Sequence, residues 1–176
     1  MTPTGKIAVT PERTDLLETL AKHRYLLRFT VRDLTDEQAA QRTTASELCL
    51  GGLIKHVANT EQKWMDFVLR GPKAFGSGAA DDWSVDAWGE EFRMLAGETL
   101  TGLLERYEQV ARRTDEIVAT VPDLDSSHPL PQAPWFEPGA RWSARRTVLH
   151  VIAETAQHAG HADIIRESLD GSKSMG

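Results

Sequence analysis

Long stretches in which apolar residues recur every three or four positions alternate with irregular stretches rich in Gly, Pro and Asp, a rhythm that predicts helices joined by loops. Thr10-Pro11 reads as a helix cap followed by proline at the first helical position, and Leu16, Leu17, Leu20, Leu27, Val31 and Leu34 carry one stripe through a first helix. Residues 35–43 add a short turn. Leu50, Leu53, Val57, Trp64, Phe67 and Val68 mark a second helix that stops at Gly71-Pro72. Residues 71–90 read as a long crossover whose tryptophans, Trp83 and Trp88, pack down. A third helix begins at Phe92 or Glu98 and runs to Val121, where Pro122 ends it. Residues 122–142 carry five prolines with Trp135, Phe136 and Trp142, giving a stiff aromatic loop placed to cover something. Ser143 then caps a fourth helix that continues through Leu169 and closes at Asp170-Gly171. Four long helices without an alternating strand pattern predict an all-α fold, one four-helix bundle over residues 1–176, with long crossover loops that allow non-sequential neighbours.

Composition narrows the function classes. A chain of 176 residues suits one domain and buries about 70% of its unfolded surface, so neither disulfide nor metal is needed for folding. The net charge of -6 and the scattered arginines oppose a phosphate backbone, which sets nucleic acid aside. The lone Cys49 excludes an internal disulfide and a thiolate zinc cluster. With no local base or cationic group, it reads as a small buried apolar residue. No leader and no apolar run of membrane-spanning length is visible, which places the protein in the cytoplasm, away from membranes.

Candidate chemistry lies in "LHVIAETAQHAGHADIIRE", residues 149–167. At about 100° per residue from His150, Glu154, His158 and His161 fall within about 80° of one another, on the arc that also holds Val151, Ile165 and Leu169. The polar stripe therefore overlaps the face turned into the bundle. Glu154 and His158, one turn apart, can direct a carboxylate oxygen and an imidazole nitrogen at one ion. On the second helix, "GGLIKHVANTEQKW" places His56 at the edge of the apolar arc, with Lys55, Gln62 and Asp66 opposite. A histidine in such a place is commonly a hydrogen-bonded structural residue, and a buried Glu–His network is the competing reading of the stripe. A His, Glu, His set suits Zn²⁺, with Ni²⁺, Fe²⁺ or Mn²⁺ as other divalent candidates, and leaves a position open for water or substrate. His150 and His161 are then candidates for substrate contact, catalysis or support of the ligands, and His161 could instead replace Glu154. His23 reads as a surface residue, and His128 has no visible partner.

The pairing of "GGLIKHVANTEQKW" with "LHVIAETAQHAGHADIIRESLDG" resembles the DinB-like superfamily, in particular the actinobacterial subgroup of mycothiol-dependent maleylpyruvate isomerase and thiol S-transferases. The resemblance covers nearly the whole chain, from the helix containing Arg13 to Asp170-Gly171. It implies up-down-down-up helix connectivity and a metal held by His56, Glu154 and His158. Many DinB-like proteins carry His where Glu154 stands, and the glutamate points to the thiol-dependent branch. "HAGH" resembles the family's "HRGQ" after the last ligand, which puts His158, and not His161, in the ligand position. The implied activity is transfer of a low-molecular-weight thiol, mycothiol, to a small electrophile beneath Trp135 and Phe136. A thiol-independent metal hydrolase using His161 or His150 as base, and a non-enzymatic stress-linked scaffold, are the alternatives. A homodimer through an exposed helix face is the expected assembly.

Overall fold

The computed structural model describes residues 10–76 and 89–174, so Trp83 and Trp88 lie outside the described residues. The long helices are α1 (Pro11–Phe29), α3 (Leu50–Arg70), α4 (Leu100–Thr120) and α5 (Ala144–Asp170), with a short α2 (Asp36–Ala40). Their starts follow the chain's own capping chemistry. The Thr10, Thr99 and Ser143 side chains accept from the amides of Arg13, Gly102 and Arg146, and a Thr35–Gln38 capping box opens α2. Cys49 is buried as anticipated, and its sulfur also accepts from the Gly52 amide at the head of α3. Gly171, at φ 80°, supplies the left-handed turn that ends α5.

α1 stops at Phe29, short of the Leu34 that periodicity reaches. The cause is tertiary. Arg166 of α5 donates to the carbonyls of Thr30 and Arg32 at 2.8 and 2.7 Å, and Asp33 turns left-handed at φ 59°, so these carbonyls serve a guanidinium rather than another helical turn. The all-α reading holds, with one small addition: β1 (Ser127–Pro129) pairs antiparallel with β2 (Arg141–Ser143) in the aromatic loop. Three-residue strands are too short to show alternation in a sequence. His128, read as partnerless, packs edge-on to Phe67 at 5.7 Å and has Nε2 3.3 Å from the Val68 carbonyl.

Side-chain pairs fix the helix directions. Glu12 meets Arg145 and Thr30 meets Arg166, so α1 and α5 run parallel. Gln62 meets Arg106 and Asp66 meets Arg113, so α3 and α4 also run parallel. Trp64 meets His150 and His56 meets His158, so α3 opposes α5. The connectivity is up-down-down-up, and the long connection after α3, which joins two parallel helices, makes it reachable.

The apolar core forms two blocks, one around Leu27, Leu53, Ile54, Tyr107 and Ile165, the other around Leu20, Phe67, Val118 and Val148. Between them every long helix contributes a buried polar residue: Arg24, Glu61, Thr114 and Thr155. Arg24 grips Glu61 with two hydrogen bonds, at 2.5 and 3.2 Å, and reaches Asp115 at 2.8 Å, tying α1 to α3 and α4. Glu61 is 0% exposed, so the pair is compensated only while both members remain.

Two outcomes follow for stability. Arg24→Met strands the Glu61 carboxylate and should cost about 3–5 kcal/mol in urea unfolding, much of it recovered in the double variant with Glu61→Leu. A single variant as stable as the parent would contradict this role. Arg166 holds the Asp170 carboxyl down at about 2 through its hydrogen bond, with the Ser172 amide assisting. A depressed carboxyl stabilises the fold above its unfolded value of about 3.9 and loses that contribution as pH falls towards 2. Asp170→Asn should therefore flatten the pH dependence of stability between about 4 and 2. An unchanged acid profile would contradict it.

Candidate metal centre

Two glycines at the head of α3 make the site. A Cβ on Gly52 would lie 1.9 Å from the Phe92 carbonyl oxygen, and one on Gly51 would lie 2.1 Å from the Met94 sulfur. Only hydrogen side chains let residues 92–94 lie directly on the first turn of α3. This close approach stacks Phe92 on the His56 ring at 4.1 Å and brings Glu91 Oε2 to 3.4 Å from His56 Nδ1. Asn59 and Lys63 hold the other Glu91 oxygen at 3.3 and 3.8 Å.

The antiparallel crossing of α3 and α5 then sets the His56 and His158 rings edge to face, 4.8 Å between centroids. His158 Nε2 is 3.5 Å from Glu154 Oε2, and the donor atoms of His56, Glu154 and His158 all lie within 4.8 Å of one another. The structure thus brings these three together. It does not bring His161 into the cluster: His161 Nδ1 faces the outer Nδ1 of His158 at 3.3 Å, behind the ring. His150 sits one turn before Glu154, its Nε2 3.9 Å from Glu154 Oε1, with its ring edge-on to Trp64 and tilted against Trp142, each at 4.9 Å.

The donor set fits a divalent cation of the Zn²⁺ class, two imidazoles and a carboxylate. Both histidines of the cluster are 8% exposed. His56 is under-satisfied, because its Nδ1 makes no proper hydrogen bond to Glu91 and its Nε2 lies 3.5 Å from the Thr60 hydroxyl, beyond an ordinary bond length. Buried polar atoms in that condition want a partner. Charge is also available. His158, whose Nε2 lies 3.5 Å away, does most to lower the Glu154 carboxyl below its usual range, overcoming partial burial, and the other histidines assist. Burial pushes the His150 imidazole down, with Arg146 adding to it and Glu154 opposing. Glu91 is lowered too, since His56, Lys63 and Asn59 outweigh its burial.

The cluster opens on a cavity of about 800 Å³, whose lining includes Lys55, Trp64, Phe75, Trp135 and Phe136. The aromatic loop therefore does cover the site, with Trp142 stacked on Trp64 at 4.8 Å. Lys55, read as facing away, is 7% exposed and pairs with Glu98 at 2.9 Å inside this lining. Its long stem reaches round the helix to the cavity. Arg24 is likewise buried beside the half-buried His23. Glu91 and Phe92 were not legible as site residues; the only signal was the Gly51-Gly52 pair at a helix head, where glycine is otherwise costly.

No curated protein matches the chain. A family model described as mycothiol S-transferase matches residues 15–171, which takes in most of α1, the whole of α3, α4 and α5, and every member of the donor cluster. The helical bundle with its α3–α5 site accordingly belongs to the mycothiol S-transferase family of the DinB-like superfamily.

Proposed function

We propose that the chain is a divalent-metal-dependent S-transferase that joins a low-molecular-weight thiol, mycothiol, to a small electrophile. The observation that carries this is the His56, Glu154, His158 triplet opening on a cavity large enough for two reactants. A cation held by these three residues would supply the charge that keeps a thiol as thiolate at neutral pH. The remaining work falls to the chain's side chains. With the His158 proton on Nδ1, His161 Nδ1 accepts a hydrogen bond from it, and that tautomer leaves His158 Nε2 free to ligate. His150, kept neutral by burial, takes the thiol proton at its Nε2 and passes it to water. The Trp64 and Trp142 rings hold that imidazole in place. The cavity walls bind the electrophile and exclude water from the nucleophile.

The position of His161, behind His158, counts against its serving as base in a hydrolytic reaction. His150 alone would remain for that reading.

Calorimetric titration with Zn²⁺ should give one ion per chain. His158→Ala should abolish tight binding, and His161→Ala should weaken it by about 10–100-fold, the usual effect of removing a ligand's support. Transfer of mycothiol to an alkylating or arylating agent should require the metal and fail in His158→Ala. A protein that binds no metal, or that hydrolyses model esters without thiol and transfers none, would overturn the proposal.

A further inference from the structure

Resting on the S-transferase reading, we infer that the electrophile this site accepts is a planar aromatic or extended conjugated molecule, held at one end of the cavity by Trp64, Phe75, Trp135 and Phe136. The lining changes character along α3. Lys55, paired with Glu98, stands at one end, His56 follows, and Trp64 lies nine residues beyond Lys55, about 13 Å along the axis. On antiparallel α5 the order matches: His158 lies beside His56, and His150, two turns earlier, lies beside Trp64. Around Trp64 the aromatic rings are contiguous, with Phe75 at 5.0 Å and Phe136 at 6.4 Å, and Trp135 packs on Phe136 at 6.1 Å. Trp135 is 53% exposed and stands in the cavity lining with the other three rings. Such rings select flat partners through stacked and edge-on contacts rather than through hydrogen bonds. The charged end, with Lys55 and Glu98, is left for the polar thiol.

Trp64 lies about two helical turns from His56, and His150 beside it one turn from Glu154, so a two-ring or substituted single-ring electrophile spans from the aromatic wall to the sulfur. In the transfer, the thiolate sulfur forms a C–S bond at the electrophilic carbon. The bond to a leaving halide breaks, and the halide departs with the bonding pair. The thiol proton has by then passed to His150 and water. No oxidant or reductant is involved.

The test uses the full-length, Zn²⁺-loaded protein with saturating mycothiol and two chlorides, 1-chloro-2,4-dinitrobenzene and chloroacetamide. Each enzymatic rate is divided by the uncatalysed thiol rate, which removes intrinsic reactivity. The aryl chloride should show an acceleration at least tenfold greater than the aliphatic one. Trp135→Ala and Phe136→Ala should each raise KM for the aryl chloride about tenfold while leaving KM for mycothiol unchanged, and Trp135→Phe should restore most of the loss. Independently, 1,3-dinitrobenzene, which has the ring but no leaving group, should bind without thiol and quench tryptophan fluorescence, less so in Trp135→Ala. Equal acceleration of both chlorides, without dinitrobenzene binding, would sink the aromatic assignment and leave the transferase reading standing. Dinitrobenzene binding without any thiol transfer would uphold the aromatic site and remove the transferase reading.

Discussion

The crossing of α3 and α5 concentrates two nearly dry imidazoles and a carboxylate within 4.8 Å, and the rest of the architecture serves that meeting. Polar groups taken out of water cost several kcal/mol unless something satisfies them. The fold meets part of that need with its own atoms. His161 stands behind His158 and Glu91 beside His56, while the histidines around Glu154, His158 first, hold its carboxyl low. What these contacts leave over is an inward-facing set of donors with the chemistry of a Zn²⁺ site.

Holding such a cluster requires helices that do not slide. The bundle divides its apolar core into two blocks and places a polar belt between them, in which Arg24 spans α1, α3 and α4. A belt of this kind specifies register more than it stabilises, since a shifted helix would bury an unpaired charge. Arg166 does the same at the far end by capturing the carbonyls that close α1. The up-down-down-up order then lets α3 lie antiparallel to α5, so that one turn of each can face the other across the site.

Much of this was readable in the chain. Thr10-Pro11, Ser143 and Gly171 are local signals whose chemistry acts within a few residues, and helix boundaries resting on them agree with the structure. The inward stripe of α5 was equally legible, because helical angles need no tertiary knowledge. The misses share one cause: each depends on a residue remote in sequence. α1 ends early because of Arg166, Lys55 turns inward towards Glu98, and His128 finds the Val68 carbonyl. Glu91 ends a helical segment whose described part is residues 89–91, and Phe92 follows it; no periodicity marked them, and only the two glycines that residues 92–94 press against gave notice of them. His161 was placed on the right stripe, but an angle cannot tell a side chain in front of a ligand from one behind it.

The most direct measurement is X-ray absorption at the zinc edge of the loaded protein, before and after mycothiol is added. The account predicts a nitrogen and oxygen shell that includes two imidazoles without thiol, and one sulfur at about 2.3 Å once thiol is present. A shell lacking imidazoles, or one that gains no sulfur with saturating mycothiol, would contradict it.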